Sequence, residues 1–136
     1  MSEIVSTGKR SWSRIIGYWL TTVLIAFVMG AGGVADLLRI PQVVEGMTQL
    51  GYPIYFCVIL GVWKVLGAGA ILAPGVPRLK EWAYAGIVFD LTGAAASHFA
   101  MGDGAVKVIM PLIFTVLTYI SWANRPASCR LPGPLL

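Results

Sequence analysis

The chain has 136 residues, of which 57% are hydrophobic and only 12% are charged, and its mean hydropathy is +0.79. A soluble globular domain has roughly a quarter of its residues charged, so this composition excludes a soluble domain and predicts one integral membrane domain in a lipid bilayer. The net charge of +4 would suit a nucleic-acid-binding protein, but most basic residues flank the apolar segments. Membrane topology explains that placement, so no nucleic-acid partner is expected.

Four segments are long and apolar enough to form transmembrane helices, each of which needs roughly 20 mostly apolar residues. The predicted spans are residues 15–34, 54–73, 82–100 and 106–123. The first is longer than the roughly 7–15 residues of a signal-peptide hydrophobic region, so we expect it to remain as a span. The sequence therefore predicts an all-α fold, with an integral membrane four-helix bundle in residues 1–125 and a proline-rich tail in residues 126–136. We expect this tail to be poorly ordered or held by a partner.

The basic residues outside the spans are concentrated in the amino-terminal segment, the loop between spans two and three, and the carboxyl-terminal tail. They are Lys9, Arg10, Arg14, Arg78, Lys80, Arg125 and Arg130. Four spans bring these three segments to one side of the membrane, and the positive-inside rule then predicts that both termini face the cytoplasm. The localisation expected from this pattern is the bacterial cytoplasmic (inner) membrane.

The segment between spans one and two has its own helical pattern. After Pro41, which suits the first turn of a helix, apolar residues recur at helical spacing up to Gly51, which suits a helix end. This predicts a short amphipathic helix lying at the outer membrane interface. A structural role, covering the end of the bundle, is favoured over a role as a lid.

Lys64 and Asp90 are predicted to lie near the middle of neighbouring spans. Each is about ten residues from the short loop that joins the spans, which at 1.5 Å per residue places both roughly 14 Å deep. Because a lone charge there costs at least ~2.5–3.5 kcal/mol, the sequence predicts a Lys64–Asp90 ion pair. Small residues on the same faces predict close approach of the two backbones. The pair either fixes helix packing, or relays protons or anchors a polar ligand; both interpretations stay open.

His98, the one histidine of the chain, is predicted to lie next to Ser97 towards the outer end of the third span. The interfacial residues Asp36, Arg39 and Asp103 are expected to surround it. A neutral imidazole in such a place can carry a proton or bind a ligand. The alternative is a hydrogen-bonded interface residue without a functional role.

The sequence has no recognisable cofactor motif. One histidine and two distant cysteines give no metal-ligand spacing, so no metal site is expected. A CxxC motif and a phosphate-binding glycine loop are both absent. A quinone is compatible with the sequence but not identifiable from it, and the chain is expected not to be catalytic on its own.

Three motifs resemble the DoxX-like family of small bacterial membrane proteins. They are Gly61-Val-Trp-Lys-Val-Leu-Gly-Ala-Gly-Ala70, then Pro77-Arg-Leu-Lys-Glu-Trp-Ala-Tyr-Ala-Gly86, and Phe89-Asp-Leu-Thr-Gly-Ala-Ala-Ala-Ser-His98 followed by Gly102-Asp103. The positions that match the family pattern are Lys64, Leu79, Lys80, Glu81, Trp82, Asp90, Ser97 and His98. The resemblance implies a four-helix membrane bundle, and it indicates that Lys64, Asp90 and His98 form one polar site.

The resemblance implies less about chemistry, since this family includes subunits associated with thiosulfate:quinone oxidoreduction and proteins that assist other membrane proteins. The first hypothesis is an accessory subunit or assembly factor, bound to another membrane protein or to a second copy, with a buried Lys–Asp pair that stabilises the bundle. The alternative is a membrane oxidoreductase component that binds a quinone-like or other hydrophobic ligand between its helices. A small transporter ranks last, because no inverted repeat is evident. A cavity beside Lys64 and Asp90 would favour the ligand hypothesis.

Overall fold

The computed structural model describes the backbone of residues 2–132 and the side chains of residues 12–132. All regular structure in this part of the chain is helical, as predicted. The elements are α1 (Ser2–Leu37), α2 (Pro41–Gln49), α3 (Tyr55–Leu72), α4 (Pro77–Ala100), α5 (Ala105–Ala123) and a 3-10 turn at Ala127–Cys129. The side chains of Lys9 and Arg10, on which the topology prediction partly rests, lie outside the described residues.

The four long helices are arranged in a ring in which α1 and α4 each pack against both α3 and α5. Successive long helices run in opposite directions, since Gly33 of α1 lies against Gly61 of α3 whereas Gly30 lies against Ala68. The buried residues of α1 recur every three or four positions, which places them on one face of the helix. They are Tyr18, Thr22, Ile25, Ala26, Met29, Gly33 and Asp36. This face packs against the hydrophobic core, to which α3 and α4 contribute Ala68, Ile71, Tyr84, Ile87 and Leu91.

Three of the described helical segments are long and apolar enough to cross a membrane. They are Trp12–Leu37, Tyr55–Leu72 and Ala105–Ala123. Helix α4 is long enough, with 24 residues, but it is less apolar because it carries charged residues in its first turn as well as Asp90 and His98. The chain is therefore an all-helical membrane protein by composition and helix length.

The connections between the helices use proline and glycine in the predicted places. Pro41 begins α2, and Gly51, just after its end, has a left-handed φ of 83°. Pro77 begins α4, five residues before the predicted span, after Val76 in a left-handed conformation with φ of 48°. The fixed φ of proline suits a first helical turn, and its missing N–H costs nothing there because N–H groups in the first turn have no intrahelical acceptor.

The described part of the tail packs against the end of α5. The Cys129 side chain is buried, and the Arg130 guanidinium donates hydrogen bonds to the carbonyl oxygens of Ala123 (2.9 Å) and Arg125 (2.7 Å). The Ala123 carbonyl is the last of α5 and has no intrahelical partner, and the Arg125 carbonyl lies just beyond the helix. Arg130 thus fixes residues 126–130 against the end of α5. The last four residues lie outside the described part of the chain.

Candidate functional site

The charged group beside α3 contains the predicted Lys64 and Asp90 and, in addition, Asp36 of α1. The Lys64 Nζ lies 2.9 Å from Asp36 Oδ2 and 4.0 Å from Asp90 Oδ2. The predicted Lys64–Asp90 ion pair is present at 4.0 Å, but Asp36 is the closer, hydrogen-bonded partner of Lys64, a pairing that was not predicted from the sequence. The reason is that α1 continues to Leu37, beyond the predicted span, so Asp36 stays on the helix face that packs against α3.

Two carboxylates thus surround one ammonium group. The Asp36 side chain is buried, with 8% of its surface exposed, whereas the Asp90 side chain is 19% exposed. A separation of 4.0 Å is longer than a hydrogen bond, and Asp90 has no hydrogen-bond donor among the described residues. Asp90 is therefore the member of the group that remains available to another molecule.

An open cleft of about 450 Å³ lies between α3 and α4, beside this charged group. Its wall is almost entirely apolar, and Lys64 and Asp90 are its only charged residues. The lining residues are Met29, Leu60, Trp63, Lys64, Leu66, Gly67, Ala70, Leu79, Trp82, Ala83, Gly86, Ile87, Phe89 and Asp90. The arrangement can hold an apolar molecule whose polar group reaches the two charges.

Small residues leave this space open. Gly67 and Ala70 of α3 and Ala83 and Gly86 of α4 all line the cleft. A Cβ atom added at Gly86 would meet no atom within 4 Å. The prediction that small residues bring the backbones of spans two and three together is therefore wrong at this position.

The close backbone approach lies instead between α1 and α3. A Cβ atom added at Gly61 would be 2.8 Å from the Gly33 carbonyl oxygen, and one added at Gly33 would be 2.9 Å from the Gly61 carbonyl oxygen. Only glycine fits at either position. The contact lies one helical turn from Asp36 and Lys64 and positions these residues opposite each other.

A second polar group lies at the carboxyl-terminal end of α4. His98 Nδ1 is 2.6 Å from Asp103 Oδ2, and Lys107 Nζ is 3.7 Å from Asp103 Oδ1. The Ser97 hydroxyl hydrogen-bonds to the Tyr52 hydroxyl at 2.7 Å.

The residues that the sequence singled out therefore form two groups and not one site. His98 is eight residues from Asp90, about 12 Å along the helix. Of the interfacial candidates, Asp103 lies beside His98, whereas Asp36 belongs to the Lys64 group and Arg39 is exposed, with a left-handed φ of 48°.

The His98–Asp103 contact predicts a pH-dependent stability. The hydrogen bond from His98, with a smaller contribution from Lys107, holds the pKa of Asp103 below its ordinary value. A lowered folded-state pKa stabilises the fold above the unfolded-state pKa of about 3.9, and this contribution is lost as the pH falls through the folded-state pKa. Asp103→Asn should lower the melting temperature near pH 7, and the difference from wild type should shrink as the pH falls below about 4 and vanish only below the lowered folded-state pKa of Asp103. A melting-temperature series from neutral to strongly acidic pH measures this, and a pH-independent difference would contradict it.

The polar residues around the start of α4 and the end of α5 were not predicted as a group. Lys80 is fully buried, and its ammonium donates to the carbonyl oxygens of Ala70 (3.3 Å) and Ile71 (2.6 Å) at the end of α3. A cation at a helix carboxyl terminus is favoured by the helix dipole. Lys80 therefore joins α3 to α4, and the Leu-Lys-Glu-Trp motif was the sequence signal for it.

Glu81, next to Lys80, connects α4 to the end of α5. Its carboxylate accepts hydrogen bonds from the Arg125 guanidinium and from Trp122 Nε1, the latter at 2.9 Å. Nearby, the Ser121 hydroxyl lies 2.6 Å from that of Thr22 and 2.7 Å from that of Tyr84. No described buried side-chain polar atom lacks a partner, so this end of the bundle is a satisfied structural network.

Together, the apolar helices and the cleft with its charged end define a small helical membrane protein with a candidate ligand site. The sequence model of the DoxX-like family matches residues 20–121, so the chain belongs to the DoxX-like family. This match spans every residue of the cleft and confirms the resemblance seen in the motifs.

One similar curated protein is YdgD of Bacillus subtilis (strain 168), which is named as an uncharacterized protein. It is 30% identical over 99 residues, which cover 73% of this chain and 86% of the relative. No solved structure gives a significant match. Among the described residues, no group of three or more His, Cys, Asp or Glu side chains is placed to hold a metal ion.

Proposed function

We propose that this protein is a four-span protein of the bacterial inner membrane with both termini in the cytoplasm. The antiparallel ring of α1, α3, α4 and α5 supports α4 as the fourth span. The first turn of α4 contains Arg78, and the tail contains Arg125 and Arg130, which supports the cytoplasmic assignment of this end. None of the residues of α2 is buried, and this short helix would lie at the outer interface.

Within that membrane, the protein binds a hydrophobic, quinone-like ligand in the cleft between α3 and α4. The observation that carries this proposal is the open cleft of about 450 Å³ that ends at Lys64 and Asp90. Ligand pockets are commonly about 300–1,000 Å³, with apolar walls and a few polar groups that orient the ligand. A tightly packed contact between α3 and α4 would have argued against binding.

The cleft residues fit a quinone. The exposed rings of Trp63, Trp82 and Phe89 line the cleft and offer flat surfaces on which an aromatic head group can pack. The Lys64 ammonium has three N–H donors and gives one to Asp36. Lys64 would donate to an oxygen of the head group, and the Asp90 carboxylate would accept a hydrogen bond or a proton there. A bound quinone would supply two-electron redox chemistry.

The second candidate is an accessory subunit or assembly factor in which the charged residues only stabilise the bundle. The direct Lys64–Asp36 hydrogen bond favours it, because it joins α1 to α3 without any ligand. The two functions are compatible, since a subunit of a larger membrane complex can provide the ligand site of that complex. Another membrane protein or a second copy of this chain would be the partner.

Filling the cleft tests the ligand proposal. Gly86→Leu places a side chain in the cleft, where an added Cβ meets no atom within 4 Å. Gly93→Leu is its matched control, because an added Cβ at Gly93 also meets no atom within 4 Å and Gly93 does not line the cleft. We expect decylubiquinone to quench the tryptophan fluorescence of wild type and Gly93→Leu in a saturable way, and Gly86→Leu to lose this saturable component. Equal quenching of all three proteins would exclude the cleft as the ligand site and leave the accessory role.

A further inference from the structure

We infer that the ligand of this cleft carries a hydroxyl group that lies between Lys64 and Asp90, as in a phenol, a quinol or a long-chain alcohol. The inference rests on the proposed ligand site and adds the chemistry of the head group. It starts from the gap of 4.0 Å between Lys64 Nζ and Asp90 Oδ2. An oxygen atom can lie about 2.8 Å from both atoms at once, which is an ordinary hydrogen-bond length to each.

The two side chains require opposite hydrogen-bonding roles of that oxygen. Lys64 has N–H donors beyond the one given to Asp36, so it needs an acceptor. Asp90 has no donor among the described residues, so its carboxylate needs a donor. A hydroxyl group accepts one hydrogen bond and donates another, and it therefore satisfies both partners.

A head group that lacks either a donor or an acceptor satisfies only one of the two side chains. A carbonyl or ether oxygen accepts from Lys64 but leaves the Asp90 carboxylate without a donor in an apolar cleft, which is unfavourable, so a quinone should bind here less tightly than its quinol. An ammonium head group donates to Asp90 but carries the same charge as Lys64. The apolar lining of the cleft requires that the rest of the molecule be hydrophobic.

The test compares para-dodecylphenol with its methyl ether. The ether keeps the oxygen acceptor and the apolar body and lacks only the donor. Both are titrated against the purified full-length protein in nanodiscs, with tryptophan fluorescence as the signal. A hydrogen bond to a charged group predicts that the phenol binds about tenfold more tightly than the ether.

Three variants make the comparison specific. Asp90→Leu removes the acceptor but leaves Lys64 paired with Asp36, so we expect the variant to fold and to bind the phenol and the ether equally. Glu45→Gln, on the exposed α2, is the control for loss of a carboxylate and should keep the tenfold preference. Gly86→Leu should bind neither molecule.

Failure of the hydroxyl inference and failure of the ligand proposal would give different results. If the wild-type protein binds both molecules equally and Gly86→Leu binds neither, the hydroxyl inference is overturned while the cleft remains the ligand site. Equal binding by wild type and Gly86→Leu would overturn the ligand proposal itself. Dodecan-1-ol tests whether the hydroxyl must be aromatic. Tight binding extends the proposed ligands to aliphatic alcohols, and weak binding restricts them to phenols and quinols.

Discussion

Gly61→Ala is expected to destabilise the protein, although alanine normally stabilises a helix. The added Cβ would lie 2.8 Å from the Gly33 carbonyl oxygen and 2.8 Å from Leu37 Cγ, so α1 and α3 would have to move apart. Overpacking of this kind costs about 1–3 kcal/mol, which exceeds the ~1 kcal/mol that alanine gains over glycine in a helix. The free energy of unfolding in mixed detergent micelles is the measurement.

Gly69→Ala is the matched control for this prediction. It lies on the same helix, and an added Cβ there meets no atom within 4 Å. We expect it to be neutral or stabilising by up to ~1 kcal/mol, because only the helix propensity changes. If Gly61→Ala were as stable as Gly69→Ala, the close contact between α1 and α3 would be wrong.

Lys64→Met is expected to have the largest effect of a single substitution. It leaves the buried carboxylate of Asp36 and the nearby one of Asp90 without their cation. Removing one partner of a buried ion pair costs about 3–5 kcal/mol, because the remaining charge is uncompensated. The variant should unfold at a markedly lower detergent or denaturant concentration than wild type.

Two double variants identify the partner of Lys64. Lys64→Met/Asp36→Leu replaces the hydrogen-bonded pair by apolar side chains and should recover most of the lost stability, since apolar replacement of a buried pair is often neutral. Lys64→Met/Asp90→Leu leaves Asp36 unpaired between α1 and α3 and should recover little. A better recovery with Asp90→Leu would show that Asp90, and not Asp36, is the main partner.

Much of the fold follows from the sequence because helix formation is largely local. Apolar segments of sufficient length, prolines at first turns and glycines after helix ends indicated the helices now seen as α1 to α5. The boundaries were less accurate, because α1 continues to Leu37 where the apolar pattern has already ended. That extension of one helical turn made Asp36 the closer partner of Lys64.

The candidate site was predicted only in part. Lys64 and Asp90 stood out because charges are rare in apolar segments, and both line the cleft. The cleft itself could not be read from the sequence, because glycine permits both close packing and open space. At Gly61 a neighbouring backbone fills that space, whereas at Gly86 nothing does.

The sequence by itself determined the membrane class, the helical segments and the family, because hydropathy, helix signals and motifs are properties of contiguous residues. The tertiary structure alone decided that Lys64 pairs with Asp36, that His98 belongs to a separate group with Asp103, and that the space between α3 and α4 stays open. Helical periodicity fixes which residues share a face. The distance between two helix faces depends on how the side chains of all the packed helices fit together, and that packing is set only when the protein folds.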